Sequence, residues 1–250
     1  MDADTIALLG SAGFAAGAIN AVAGGGSLVS FPALVASGLP TLSANVTNTV
    51  AVWPGYVGGT VGYRRELANQ RQRSISLGIT ALVGAAIGSV VLLVTDDKVF
   101  DLVVPFLVAF SAVLVALQPR AAASVRRRAG TAPSRLGRST HVTILLAAAY
   151  GAYFGGGLGV ILLGVLGIFV HDTIQRLNAL KSLLSLVINS LALVVFALFG
   201  PVDWGSVAII APASLLGGFV GARLARRIPA SVLRGVIVVF GLVVAVWLWL

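Results

Sequence analysis

The stretch that decides the fold is NAVAGGGSLVSFPAL, residues 20–34. Three consecutive glycines, Gly24, Gly25 and Gly26, interrupt an apolar run here, and a second apolar run with Pro32 inside it follows directly. Glycine has the greatest conformational freedom of all residues, and it stabilises a helix poorly. The stretch therefore predicts two helices joined by a glycine turn.

The composition around this turn is that of a membrane protein. The chain has 250 residues, of which 58% are hydrophobic and 10% are charged. Apolar runs near the ~20 residues that cross a bilayer recur along it, which is typical of helical membrane proteins and not of β-barrels. The net charge of +9 does not indicate nucleic-acid binding, because the arginines lie in short loops between apolar runs. We predict an all-α polytopic membrane protein that contacts the lipid bilayer.

Ten apolar segments can be delimited between helix-breaking or polar residues. They are 5–22, 27–38, 43–63, 74–95, 99–117, 141–154, 157–170, 176–199, 204–225 and 231–250. The polar stretch 118–140 separates the first five from the last five. We therefore predict a first membrane repeat over 1–117, a basic cytoplasmic linker over 118–140 and a second membrane repeat over 141–250.

The two halves share landmarks at a nearly constant spacing. Gly24–Gly26 precedes Gly155–Gly157 by 131 residues, and Asn48 precedes Asn178 by 130. A pair of glycines in a GxxxG pattern also recurs at a spacing of 133, as Gly84 and Gly88 and then as Gly217 and Gly221. The constant spacing indicates an internal duplication. For the GxxxG pairs themselves we expect a packing role, because small residues let membrane helices approach closely.

The basic residues indicate how the chain crosses the membrane. Fourteen of the 17 lie in three clusters, and loops rich in Lys and Arg face the cytoplasm. The clusters are Arg64, Arg65, Arg71 and Arg73; Arg120, Arg126, Arg127, Arg128, Arg135 and Arg138; and Arg223, Arg226, Arg227 and Arg234. All three face the cytoplasm only if 5–38 and 141–170 each form a hairpin that returns to its starting side.

The lengths of these segments agree with a hairpin. A helix over 27–38 would reach about 18 Å, which is short of an apolar core of about 30 Å. Each half then contains a glycine-tipped hairpin, predicted to be re-entrant, plus three transmembrane helices. Three crossings per half invert the second half relative to the first, so the prediction is two inverted repeats, as in many secondary transporters.

The glycine turns are the first candidates for a binding site. Non-helical backbone at membrane depth is tolerated where it is buried in protein or lines a polar cavity. Backbone N–H groups at a following helix start attract anions. The candidates are Asn20, Gly24, Gly25, Gly26 and Ser27 in the first half and Gly155, Gly156 and Gly157 in the second. The alternative is that the glycines only permit a tight turn and close packing.

Polar residues inside two spans are the second group of candidates. Thr47 and Asn48 lie early in an apolar span of the first half, and Asn178, Lys181 and Asn189 lie in the matching span of the second. Polar groups within membrane spans face the protein interior and often mark a substrate pathway. For Lys181 two interpretations remain open: its side chain extends to the cytoplasmic surface, or it supplies positive charge to a bound anion.

Several chemistries are excluded by what the sequence lacks. The chain contains no cysteine, only two histidines, and no carboxylate in the interior of a predicted span. No nucleophile–base set or metal-ligand cluster can be assembled from these residues. We therefore expect no catalytic residues, no metal site and no cofactor, and we expect that the protein is not an enzyme.

Two long stretches resemble a known family. GAINAVAGGGSLVSFPALVASGLPTLSANVTNTVAVWPGYVGG (17–59) resembles the first signature of the sulfite exporter TauE/SafE family of membrane transporters. YFGGGLGVILLGVLGIF (153–169), followed by RLNALKSLLSLVINS (176–190), is similar to the second. The resemblance implies a multi-pass carrier in the bacterial inner membrane that moves sulfur-containing anions such as sulfite or organosulfonates, usually outward.

The residues and the resemblance together predict a small anionic substrate held between the two glycine turns. The alternatives are an anion channel or uniporter, an intramembrane enzyme, and a membrane subunit of a larger complex. The oligomeric state is left open, with a homodimer among the options.

The predicted topology can be tested with single cysteines, because the chain has none of its own. Residues 66–72, 120–138 and 228–233 are expected to be cytoplasmic, with both chain ends outside. An impermeant thiol reagent added to intact cells should then label cysteines at the chain ends and spare those in the three loops. Labelling of the third loop from outside, with the first two protected, would contradict the hairpin arrangement.

Overall fold

The computed structural model describes residues 1–22, 25–128, 136–224 and 230–249. The regular secondary structure of these residues consists of ten helices and no strands. The helices are α1 (Ala3–Val22), α2 (Ser27–Ala36), α3 (Thr41–Gly62), α4 (Arg71–Val94), α5 (Asp97–Arg128), α6 (Arg138–Tyr153), α7 (Leu158–Phe169), α8 (Ile174–Phe199), α9 (Trp204–Leu224) and α10 (Ala230–Trp249). The prediction of an all-helical protein with ten segments is confirmed.

The boundary after the fifth segment differs from the one that composition suggested. α5 does not end at 117 but continues through Pro119 to Arg128, for 32 residues in all. A helix of that length measures about 48 Å, so it exceeds an apolar core of about 30 Å. The first part of the stretch 118–140 is therefore helical, while residues 129–135 lie outside the described part of the chain. The division into two repeats and a linker stays a prediction.

The described helices include three candidate membrane spans and two much shorter helices next to the glycine turns. Among the described helices, three are long and apolar enough to cross a membrane by length and composition: Arg71–Val94, Asp97–Arg127 and Ile174–Phe199. α2 has 10 residues and α7 has 12, which corresponds to only about 15 and 18 Å. α1 packs against α2, and α6 packs against α7. Each glycine turn therefore joins two helices that lie against each other.

Two helix pairs in the bundle run parallel. α1 lies along α9 and α4 lies along α6, with glycine backbone against the partner helix. The facing pairs are Gly13 with Ile210, Gly17 with Ser214, Gly84 with Leu145 and Gly88 with Ala149. Residue numbers rise together along both members of each pair, so each pair runs in the same direction.

Two other pairs run antiparallel. Along α3 and α8, Trp53 Nε1 donates to Ser190 Oγ over 2.9 Å, and Thr60 Oγ1 donates to the Ser182 carbonyl oxygen over 3.1 Å. Along α5 and α10, the ring of Phe106 lies 5.0 Å from that of Trp249, and Arg234 Nε donates to Gln118 Oε1 over 3.4 Å. In both pairs the numbers rise along one helix and fall along the other.

The GxxxG glycines lie at the closest helix contacts. A Cβ atom added at Gly84 or Gly88 would overlap the carbonyl oxygen of Leu145 or Ala149 on α6. One added at Gly217 would overlap the carbonyl oxygen of Phe14 on α1. The packing role expected for these three glycines is confirmed, while the side-chain surroundings of residue 221 lie outside the described part.

A pair of substitutions on α4 tests this packing. Gly88→Ala forces α4 and α6 apart and should destabilise the protein by about 1–3 kcal/mol. Gly78→Ala, on the same helix, meets no atom within 4 Å and should be neutral or stabilising by up to about 1 kcal/mol, because alanine favours a helix. Thermal unfolding of the purified variants measures both. Equal effects of the two substitutions would contradict the close-contact role.

Candidate functional site

A small cavity lies where the two glycine turns meet α3 and α8. Its volume is about 40 Å³, enough for roughly three water molecules, which is the scale of a small oxyanion. Four predicted candidates line it: Asn20, Gly25, Gly155 and Lys181. The other lining residues are Gly55, Tyr56, Gly59, Leu158, Gly159, Ser182 and Ser185. The structure thus brings one residue from each turn together with the lysine.

Asn20 closes the first turn. Its Oδ1 accepts hydrogen bonds from the backbone N–H groups of Gly25, at 3.2 Å, and Gly26, at 2.8 Å. Gly25 has φ = +123°, a conformation that residues with a Cβ rarely adopt. Because the Gly25 N–H donates to Asn20, it is not free to bind a ligand. The sequence had predicted that this N–H would be free. The unsatisfied donor is instead Nδ2 of Asn20, which is buried and has no hydrogen-bond partner among the described residues.

Tyr150 holds the second turn by a different contact. Its hydroxyl donates to the Gly156 carbonyl oxygen over 2.7 Å and lies 2.9 Å from the Ser111 hydroxyl on α5. A Cβ on Gly156 would meet Ser111, and one on Gly157 would lie 3.0 Å from Leu114, also on α5. Of the three glycines in this turn, only Gly155 lines the cavity. Gly156 and Gly157 instead pack against α5, as expected if they only permit a tight turn and close packing.

Two glycines of α3 leave the space that the cavity occupies. A Cβ added at Gly55 or Gly59 would meet no atom within 4 Å. These residues lie one helical turn apart, with Tyr56 beside them, and all three line the cavity. Gly55 and Gly59 were not among the candidates predicted from the sequence, although their i, i+4 spacing within WPGYVGG places them on one face of a helix.

Lys181 lies inside the bundle. It is seven residues beyond the first residue of α8, which corresponds to a depth of about 10 Å from that helix start. It is half-buried, and its Nζ would be 3.9 Å from a Cβ built on Gly159 of α7. Within the described ranges Lys181 has neither an ion pair nor a hydrogen bond. The contact with Gly159 places the Lys181 side chain beside the second hairpin. Because Lys181 has no ion pair among the described residues, the cavity contains a cation without a counter-charge.

The remaining predicted residues do not line the cavity. Thr47 Oγ1 accepts a hydrogen bond from the Asp203 N–H over 2.9 Å, and Asn48 Oδ1 accepts one from the Ser30 hydroxyl. Asn189 Nδ2 donates to the Ser185 carbonyl oxygen over 2.8 Å. Ser27 is buried and Asn178 is half-buried, both outside the lining, and Gly24 lies outside the described residues. Thr47 and Asn48 therefore connect α3 to the start of α9 and to α2, whereas the bond of Asn189 lies within α8.

Two acidic residues near the bundle ends, Asp172 and Asp203, are already engaged. Asp172 accepts from Arg73 over 2.9 Å and from Arg176 over 3.0 Å. Asp203 accepts from the Ser206 N–H over 2.8 Å at the start of α9. The cavity lining itself contains no carboxylate. Nowhere in the described ranges do three or more His, Cys, Asp or Glu side chains form a group that would hold a metal ion.

Comparison with known proteins connects this architecture to a family. The model of the family described as sulfite exporter TauE/SafE matches residues 9–248. A probable membrane transporter protein of Sinorhizobium sp. is 25% identical over 96% of this chain and 91% of its own length. One from Haemophilus influenzae is 23% identical over 94% and 91%, and YfcA of Escherichia coli K12 is 26% identical over 86% and 77%. No solved structure matches. Because the family model covers nearly the whole chain, this protein belongs to the sulfite exporter TauE/SafE family.

Proposed function

We propose that this protein carries a small sulfur-containing oxyanion out across the bacterial inner membrane and binds it in the cavity between the glycine turns. The observation that carries the proposal is the pairing of an uncompensated lysine with a free amide donor in that cavity. Family membership supports the transporter class, and the family description supports sulfite as a candidate substrate. The three relatives are each named a probable membrane transporter protein.

The cavity offers the groups that an oxyanion requires. Lys181 supplies a full positive charge, and a hydrogen bond to a charged group is stronger than one between neutral groups. Asn20 Nδ2 supplies N–H donors that are otherwise unsatisfied, and such a buried donor costs free energy until it is bonded. Ser182 and Ser185 add hydroxyl groups to the same lining. A bound oxyanion would satisfy all of these groups together.

We further propose that the two halves are inverted repeats and that their relative movement alternates access to the cavity. The directions of the helices support this proposal. A shift of five in helix number relates α3 to α8 and α5 to α10, and both of these pairs are antiparallel, as inversion requires. The same shift exchanges the pair α1–α9 with the pair α6–α4. In this arrangement the short helices α2 and α7 are the returning arms of re-entrant hairpins, and the arginine-rich loops face the cytoplasm.

A channel remains the alternative to a carrier, because a carboxylate-free cavity suits passive anion flow. Proteoliposomes that contain the purified protein distinguish the two. In a carrier, unlabelled sulfite inside the vesicles accelerates the entry of labelled sulfite, because the loaded site returns faster than the empty one. In a channel, internal sulfite gives no such acceleration.

The lysine is tested by substitution. Lys181→Ala should weaken sulfite binding about 10- to 100-fold, the range expected for a lost hydrogen bond between charged groups. Lys181→Arg keeps the charge but changes the shape, so its affinity should lie between those of Lys181→Ala and the wild type. Affinity is measured by isothermal titration and is accompanied by thermal unfolding. Unchanged affinity in a folded Lys181→Ala protein would remove the lysine from the site.

The cavity itself is tested by filling it from α3. Gly59→Leu places a side chain in the open space of the lining and should abolish sulfite flux without a large loss of thermal stability. Gly58→Leu is the matched control, because Gly58 is exposed, meets no atom within 4 Å and does not line the cavity. Its flux should remain near that of the wild type. If Gly59→Leu transports normally, the substrate passes elsewhere.

A further inference from the structure

We infer that the cavity is matched to one negative charge, so that the protein binds monovalent oxyanions and discriminates against divalent ones of the same size. This inference rests on the proposed function, because it assumes that the substrate binds in this cavity. It adds the charge class of the substrate, which neither the family description nor the names of the relatives specify.

The first step is a count of the charges in the lining. Of the eleven lining residues, only Lys181 carries a charge at neutral pH, and Tyr56 is the other titratable group. The remaining groups are glycine backbone, two serine hydroxyls, one leucine and the amide of Asn20. Neutral donors of this kind stabilise an anion, but they do not cancel its net charge.

The second step is to ask whether a neighbouring helix supplies a second positive charge to the lining, and none does among the described residues. α7 has no titratable residue, and α3 contributes Tyr56. On α4 the basic residues Arg71 and Arg73 lie in the first turn, and Arg73 is paired with Asp172.

The same holds for the other groups near α8. Arg176, five residues before Lys181, is also bonded to Asp172. On α6, Arg138 is the first residue of the helix and does not line the cavity, His141 Nδ1 lies 2.7 Å from the Thr80 hydroxyl, and Tyr150 is engaged with Gly156. The charged residues of α5 lie at its two ends, at 97–101 and 120–128. Lys181 is therefore the one full positive charge that the described residues direct to the cavity.

The third step is the balance of charge in a low-dielectric site. A monoanion beside Lys181 gives a neutral pair, whereas a dianion leaves one negative charge buried without compensation, which is far more costly than burying a pair. At the first turn the helix start does not supply the missing charge, because the N–H groups of Gly25 and Gly26 already donate to Asn20 Oδ1.

Methanesulfonate and sulfate provide the test, because both are tetrahedral, have five non-hydrogen atoms and differ in charge by one unit. Their affinities for the full-length protein in lipid nanodiscs are measured by isothermal titration at constant ionic strength. Methanesulfonate is expected to bind at least tenfold more tightly than sulfate. Lys181→Arg should keep this order, while Lys181→Gln should weaken methanesulfonate at least tenfold without a loss of thermal stability.

Equal or tighter binding of sulfate would overturn the inference, and so would a Lys181→Gln protein with unchanged affinities. If neither tetrahedral ion binds but sulfite does, the dependence of sulfite affinity on pH decides. Affinity that follows the fraction of hydrogen sulfite supports the monovalent site, and affinity that follows the dianion overturns it. The absence of binding by all three ions would instead contradict the proposed function.

Discussion

A helix that breaks inside an apolar bundle must satisfy the N–H and C=O groups that the break releases, and the whole site depends on this constraint. Backbone polar groups without partners are costly where water is absent. Here the first break is closed by a side-chain oxygen of Asn20, and the second by the hydroxyl of Tyr150. Two different side chains thus solve the same problem at the two turns. Only the first solution leaves a donor, Asn20 Nδ2, beside the cavity.

Glycine serves three separate purposes in this molecule. At Gly25 and Gly155 it permits positive φ angles in the turns. At Gly84 and Gly88 it permits contact between two helix backbones. At Gly55 and Gly59 it leaves a volume empty. Gly55 and Gly59 line the cavity without a positive φ angle, so their small size is available for binding.

The sequence predicted the fold more fully than the site, for a physical reason. Helix positions in a membrane protein depend on hydrophobic runs and their breaks, and both can be read locally. For that reason the ten segments correspond to ten described helices, although α5 continued past 117 because neither Pro119 nor the arginines that follow it end the helix. Asn20 and Lys181 could also be identified from the sequence, because polar residues within predicted spans are few.

The cavity depends on long-range contacts that no local pattern contains. Gly59 became relevant only because α3 crosses α8 beside Lys181, and Thr47 proved to bond Asp203, 156 residues away. In the second triplet, Gly156 and Gly157 face α5 because Tyr150 and Ser111 fix the turn in that orientation. The sequence gives the identity of each residue but not which distant residues its side chain contacts.

The parallel pairs α1–α9 and α4–α6 have a consequence for biosynthesis. Each joins a helix of the first half to one of the second, and the contact of Val125 of α5 with Gly167 of α7 does the same. When residues 1–117 have left the ribosome, the glycine faces of α1 and α4 still lack the helices that fill them. The packing of α1 and α4 therefore becomes complete only after α9 and α6, which are synthesised later, are in place.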